Sequence, residues 1–165
     1  MISIEKVTVN IGVGAAGEKL EKAKKLLEKL TGQKPIETKS KKRIPTWNIK
    51  PGLAIGAKVT LRGKKAEDFL KTALESVDRK VKDSNFDELG NFSFGVHEYI
   101  DVPGFKYDPD IGMLGFDVSA TLDKWGYRVK KRKRKPAGIP KKHAVKKSES
   151  IEYFRKNFNV VVEHE

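Results

Sequence analysis

The chain has 165 residues, with 35 Lys and Arg against 22 Asp and Glu for a formal net charge of +13, and it has no cysteine. That length suits one domain around a modest core, and the lack of cysteine excludes a disulfide framework, thiol catalysis and cysteine-ligated zinc. No apolar run approaches the roughly 20 residues of a membrane-spanning helix, and Glu5 and Lys6 interrupt any signal-peptide centre, so a soluble, cytoplasmic protein with no membrane partner is expected.

Residues 4–11 alternate Val7, Val9 and Ile11 with Lys6, Thr8 and Asn10, the pattern of a strand with one wet face. Residues 12–17 form a glycine turn. A helix is predicted over 18–30 from the spacing of Leu20, Ala23, Leu27 and Leu30, with Thr31 and Gly32 as its stop. Residues 34–39 read as a short edge strand with Pro35 near its start. Residues 40–52 hold Pro45, Pro51 and Gly52 but little periodicity, which predicts a long loop of the kind that carries function in small domains. Alternation returns over 53–62, with Ile55, Ala57, Val59 and Leu61 inward and Lys58, Thr60 and Arg62 outward. The longest helix is expected over 65–82, where Ala66, Phe69, Leu70, Ala73, Leu74, Val77 and Val81 make a broad stripe.

Two further strands are predicted over 92–100 and 114–123, separated by a Pro- and Gly-rich loop over 101–113. A basic stretch follows Gly126, and a short helix over 148–157 takes Ser148 as N-cap, Glu149 in its first turn and Ile151, Phe154 and Phe158 as its apolar side. Strands with one dry face form antiparallel sheets, and two amphipathic helices must cover that face. The fold class is therefore α+β: an open-faced sandwich, a mostly antiparallel sheet with two long helices on one face, a basic C-terminal arm and a short C-terminal helix. The expected organisation is a core over 1–127, an arm over 128–147, and the helix and tail over 148–165.

The charge is not diffuse. From Thr38 to Ala66 there are nine Lys and Arg and no acid; from Lys124 to Lys147 there are twelve and no acid. The remaining 14 basic residues face all 22 acidic ones, so the rest of the chain carries −8. A polyphosphate is the natural partner of such windows, because neutralising on the order of 6–10 phosphates makes affinity fall ~10³–10⁵-fold between low and moderate salt. The cations expected at phosphates are Lys39, Lys41, Lys42, Arg43, Lys50, Lys58 and Arg62 in the first window. In the second they are Arg128, Lys130, Lys131, Arg132, Lys133, Arg134, Lys135, Lys141 and Lys142. No helix-turn-helix, zinc finger or basic zipper is evident, and a polar sheet face with long loops suits irregular RNA. Trp47, beside Asn48 in the cationic loop, either stacks on a base or ribose or anchors the loop to the domain.

Chemistry is less well supported. Residues 12–17 match G-x-G-x-x-G after a strand and before a helix, with Glu37 twenty residues past Gly17, as in a dinucleotide fingerprint. Yet Lys6, Thr8 and Asn10 interrupt the strand at every second position, whereas a parallel strand covered on both faces reads as nearly continuous apolar residues. Asp101, Asp108 and Asp110 fall where Pro and Gly punctuation points to turns. His97, His143 and His164 lie too far apart to suggest a metal site and read as surface residues, so no metal or cofactor is expected. A dinucleotide-dependent enzyme and a nonspecific nucleic-acid module remain the alternatives.

Four stretches are more specific: Val9-Asn10-Ile11-Gly12-Val13-Gly14, Thr31-Gly32-Gln33-Lys34-Pro35, the run from Ile55 to Gly63, and the run from Gly90 to Val96. With Tyr107 to Met113 and Gly126-Tyr127-Arg128-Val129 before a Lys/Arg run, the whole chain resembles the large-subunit ribosomal protein five family in its archaeal form. Lys124-Trp125-Gly126 departs from the arginine-proline-glycine turn of that family. The resemblance implies a non-enzymatic constituent of the central protuberance that binds 5S rRNA beside the neighbouring 5S rRNA-binding ribosomal proteins. It also implies contacts with a stem-loop of the large-subunit rRNA, a protein of the small-subunit head and the elbow of the P-site tRNA. By the same resemblance, Asn10, Gln33, Thr38 and Thr60 recognise 5S rRNA, and the loop with Lys50, Pro51, Gly52 and Leu53 reaches toward tRNA.

Overall fold

A computed structural model of the chain describes residues 2–163; Met1, His164 and Glu165 lie outside the described residues, and with them the reading of His164. The element order is β1 (Ile2–Gly12), α1 (Glu18–Thr31), β2 (Ile36–Lys39), β3 (Ala54–Leu61), α2 (Lys64–Glu75), β4 (Lys80–Lys82), β5 (Phe92–Val96), β6 (Phe116–Lys124), α3 (Arg128–Lys131), α4 (Lys147–Phe158) and β7 (Val161–Glu163). The class is the expected α+β, with one mostly antiparallel sheet in the order β2-β3-β1-β6-β5 and a separate parallel pair, β4 with β7.

Burial follows the alternation. Val7, Val9 and Ile11 of β1 are buried, as are Ala57, Val59 and Leu61 of β3, while Lys58, Thr60 and Arg62 are exposed. On β6, Phe116, Val118, Ala120 and Leu122 are buried between exposed Asp117 and Ser119. α1 stops where Gly32 takes a left-handed conformation, φ 62°, and its N–H reaches back to the Glu28 carbonyl at 2.8 Å.

Several boundaries differ from the sequence expectation, each for a physical reason. The helix expected over 65–82 ends at Glu75; Asp78 and Arg79 turn the chain with φ of 52° and 57°, and residues 80–82 become β4. Val77 and Val81 stand at helical spacing, but Val81 is buried as a strand residue whose partner, Val162, comes from the far end of the chain. β7 is absent from the sequence expectation, because three residues carry no period by themselves. β5 stops at Val96, and Tyr99–Asp101 is a single 3₁₀ turn that buries Tyr99. α4 starts one residue early with Lys146 rather than Ser148 as its N-cap: the Lys146 N–H donates to Glu149 Oε2 at 3.1 Å.

The chain divides into two compact units, residues 1–7, 62–94 and 119–165 in the first and residues 8–61 and 95–118 in the second. The first is built on aromatic packing. Phe92 stands 4.6 Å from Phe86, 4.7 Å from Phe154 and 5.2 Å from Phe94, measured between ring centroids. Ser150, a fully buried polar side chain, donates from Oγ to the Gly90 carbonyl at 2.9 Å. In the second unit α1 packs on β3, and Lys29 pairs with Asp108, whose backbone N–H donates to the buried Tyr99 hydroxyl at 2.8 Å. The Asp108 carboxylate also accepts the Asp110 N–H at 3.1 Å, so these aspartates form a turn, as their punctuation implied.

Gly90 sits at φ 75°, and a Cβ there would come within 2.5 Å of Val145 Cγ1. Gly90→Ala should therefore lower the unfolding free energy read from a urea titration by about 1–3 kcal/mol, and Phe154→Ala by about 3–5 kcal/mol; an unchanged midpoint for either would contradict the packing described.

Candidate nucleic-acid interface

The second unit holds the uncharged half of the interface. Asn10 stands on β1, half-buried, and Thr38 on β2 pairs in register with Gly56 on β3. A Cβ on Gly56 would meet the Ile11 carbonyl at 2.7 Å and Thr38 Oγ1 at 2.8 Å, so glycine is required for these backbones to lie this close. Gln33 follows α1 directly, its N–H donating to Thr31 Oγ1 at 3.3 Å, and Thr60 projects from β3 into solvent. Asn10 also opens onto a concavity of about 320 Å³ lined by Gly12, Gly95, His97, Gly115 and Asp117. The sequence reasoning missed this hollow. Its signal was glycine at Gly95, within β5, and at Gly115, just before β6, where the absent side chains leave the floor bare. Asp117 makes the hollow hostile to phosphate and receptive to hydroxyl or amino donors.

The loop between β2 and β3 is ordered by its own backbone. Ser40 N–H donates to the Leu53 carbonyl at 2.8 Å and Gly52 N–H to the Ser40 carbonyl at 2.9 Å, closing its base into a turn over Lys50 to Leu53. Ile44 and Ile49 bridge across a 3₁₀ turn at Pro45–Trp47, and Asn48 ends that turn in a left-handed conformation. Ile49, only 5% exposed, is the residue that anchors the loop. Trp47 is 69% exposed and does not anchor it. Lys41, Lys42, Arg43 and Lys50 are exposed and have no carboxylate partner among the described residues, and Lys39, also exposed, interacts with the Glu37 carboxylate.

In the first unit the cations sort into two groups. Lys131 Nζ lies 2.6 Å from Asp123 Oδ2 and 3.0 Å from Glu5 Oε2, and Arg62 Nη1 lies 3.3 Å from the Glu5 carbonyl oxygen and 3.6 Å from its carboxylate. Desolvation works against the Lys131 charge, but the hydrogen bonds to Asp123 and Glu5 outweigh it and raise the ammonium pKa. Lys124 Nζ donates to both Glu149 oxygens at 2.8 Å, and Lys147 meets Asp83 at 2.5 Å. These pairs tie the ends of the basic arm down. Between them Arg128, Lys130, Arg132, Lys133, Arg134, Lys135, Lys141 and Lys142 are exposed without a carboxylate partner among the described residues. The arm is held by neutral bonds: Ala137 N–H to the Val129 carbonyl at 3.3 Å and Val145 N–H to the Tyr127 hydroxyl at 2.7 Å.

Glycine residues 12–17 do not make a nucleotide cradle. The N–H groups of Val13 and Gly14, which would have to face a pyrophosphate, both donate to the Ile55 carbonyl, at 3.0 and 2.9 Å. Lys24 bonds Glu37, at 2.5 Å, so the carboxylate expected to read a ribose is occupied as well. Among the described residues no group of His, Asp and Glu is arranged to hold a metal ion, and no helix is long and apolar enough to cross a membrane.

Two family models match the chain in succession. Residues 1–50 match the family model for ribosomal protein L5, and residues 54–153 match the model for the C-terminus of the same ribosomal family. The large ribosomal subunit protein uL5 of Sulfurisphaera tokodaii is 52% identical over 162 residues, covering 98% of this chain and 92% of its own length. Its counterparts from Methanococcus maripaludis and Nanoarchaeum equitans are 53% and 50% identical over 165 and 162 residues, each covering 98% of this chain and 91% and 95% of their own.

The two groups of cations should separate on substitution. Lys131→Ala leaves Asp123 without its partner and Glu5 with Arg62 alone and should cost up to about 1 kcal/mol in a urea melt, the screened value for a half-exposed pair; Arg134→Ala should stay within about 0.5 kcal/mol of the parent. Equal effects would mean that the pairs anchor nothing. Glu149 supplies a pH signature. Lys124, and then the Lys146 N–H, hold its carboxyl below the usual range, so its contribution is present above the ordinary carboxylate pKa and is lost as pH falls through the depressed one. Glu149→Gln should flatten that part of the stability profile on acidification.

Proposed function

The chain belongs to the ribosomal protein L5 family, in its archaeal form, as a structural constituent of the large ribosomal subunit and not an enzyme, and on that premise we propose that it binds 5S rRNA through its polar sheet face. The observation that carries the reading is the juxtaposition, within one unit, of Asn10, Gln33, Thr38 and Thr60 with the unpaired cations of the 40–53 loop. Uncharged donors and acceptors read 2′-hydroxyls and base edges, and the cations hold the phosphates that bring those groups into range. Lys58 flanks Thr60 on β3 and Arg62 follows, with Arg62 already turned toward Glu5.

The exposed Trp47 stacks on an RNA base or ribose in this reading, with Asn48 beside it. The compact turn at Lys50, Pro51, Gly52 and Leu53, whose Lys50, Pro51 and Gly52 are exposed, approaches the P-site tRNA. The arm over 128–147 takes the large-subunit rRNA through Arg128, Lys130, Arg132, Lys133, Arg134, Lys135, Lys141 and Lys142. Lys131 serves the arm chiefly as an anchor, because its charge is already matched. Contacts with a protein of the small-subunit head and with neighbouring 5S rRNA-binding proteins belong to the same proposal, as does the assignment of recognition to residues 1–127 and of anchoring to 148–165.

Filter binding tests this directly. The full chain should prefer 5S rRNA to a tRNA of similar size; equal affinity overturns the reading. Asn10→Ala and Thr60→Ala should each cost about 1–3 kcal/mol if their hydrogen bonds are buried in the complex, without altering the salt slope. Charge reversal at Lys133, Arg134 and Lys135 should reduce that slope by close to one for each phosphate that is no longer neutralised.

A further inference from the structure

The turn that joins β6 to α3 carries the most exposed large apolar side chain in the described structure. Trp125 is 89% exposed. Solvating an indole so fully forfeits the burial that a tryptophan ordinarily gains, and this turn has no freedom to fold the ring inward. The Tyr127 N–H donates to the Lys124 carbonyl at 3.1 Å, closing the turn, and Gly126 sits at φ 99°, open to glycine but strained for other residues. His143 Nε2–H donates to the Trp125 carbonyl at 2.7 Å, and a Cβ on Gly126 would approach that nitrogen to 3.3 Å. On the other side Lys124 is fixed by two bonds to Glu149. The backbone under Trp125 is thus pinned from the arm and from α4, and the ring is held out in water.

The surroundings identify the partner. His143 is delivered by a turn in which its N–H bonds the Pro140 carbonyl at 2.9 Å, and that turn presents Lys141 and Lys142, both exposed. Arg128 follows two residues beyond Gly126 and is also part of this cationic surface. No carboxylate occurs between Lys124 and Lys147, and the nearest one in contact, Glu149, is neutralised by Lys124. The centre of a protein–protein interface is depleted in lysine and surrounds its aromatic anchor with apolar groups. Here an indole belongs to a stretch, Lys124 to Lys147, that carries cations and no carboxylate, which is the composition of a surface that stacks bases while holding their phosphates.

We propose that Trp125 is a stacking platform for an unpaired RNA base, with Arg128, Lys141 and Lys142 holding the phosphates on either side of it. This rests on the RNA-binding reading above but assigns a residue to which that reading gives no role, and restricts its ligand to an unpaired base. A base in a duplex has both faces covered, so the platform requires a loop, bulge or strand end.

The experiment uses the full chain carrying Trp47→Phe, so that Trp125 is the only tryptophan emitter. A 12-nucleotide single-stranded RNA and a 12-base-pair RNA duplex are titrated at low salt, following Trp125 emission and its quenching by acrylamide. The expected result is strong quenching and acrylamide protection with the single strand and little of either with the duplex. In the otherwise unaltered chain, Trp125→Ala should weaken single-strand binding roughly five- to a hundredfold with an unchanged salt slope, and Trp125→Phe should restore most of the affinity. Normal RNA binding and salt slope without Trp125 quenching, or equal quenching by duplex, overturns the platform and leaves the RNA-binding reading standing. Failure of the chain with both tryptophans intact to bind any RNA overturns both.

Discussion

Two stretches of chain that together carry 21 positive charges and no carboxylate must be held in place by a protein whose other residues supply only −8. Left to itself, a run such as Lys130 to Lys135 repels its own neighbours and stays extended. The fold answers by matching charges only where the chain must be tied. Lys124 to Glu149 and Lys147 to Asp83 tie the ends of the second window, Lys131 to Glu5 and Asp123 ties one point within it, and the other cations expected at phosphates in that window are left without a carboxylate partner among the described residues. Exposed pairs of this kind are individually weak, so their role is placement more than stability. The core of Phe86, Phe92, Phe94 and Phe154 supplies the latter.

The same division separates affinity from recognition. Cations spared from pairing interact with any polyanion and contribute a salt-sensitive, sequence-blind attraction. In the function proposed above, selectivity comes from groups that are silent toward a bare phosphate chain, Asn10, Thr38 and Thr60 on the strands, with Gly95 and Gly115 at the hollow onto which Asn10 opens. Asp117 sharpens the contrast, since a carboxylate beside Asn10 excludes phosphate from the hollow that it lines. A wholly cationic face would bind more tightly and discriminate less.

The sequence was most informative where the physics is local. A period of two in Val7, Val9 and Ile11 and again in Ala57, Val59 and Leu61 was enough to give the strands and their wet face, and Gly32 was enough to end α1. It failed where a contact depends on residues far away in the chain. Val77 and Val81 look like one more helical turn until the 161–163 strand provides a partner for β4. Nothing in the run from Arg128 to Lys135 marks Lys131 as different from its neighbours, because the difference is made by Glu5 and Asp123. Of the two readings of Trp47, the anchoring role passes to Ile49, a less conspicuous residue that took the buried position.

Membership of a family and the reading of individual residues also carry different information. Identity of about half over nearly the full chain fixes what kind of protein this is, but it is least informative at positions where the chain departs from the family's pattern. The turn at Lys124, Trp125 and Gly126 is such a position, and there the residues' own contacts have to decide. A proline in that turn would fix one dihedral angle by covalent geometry. This chain reaches a comparable rigidity with Gly126 at φ 99°, the His143 bond and the Lys124–Glu149 pair, and the position is thereby freed to carry a large aromatic ring. Rigidity supplied from outside the turn makes the exposure of Trp125 a property of the folded arm as a whole, so a change at His143 or Glu149 acts on that surface without touching the ring.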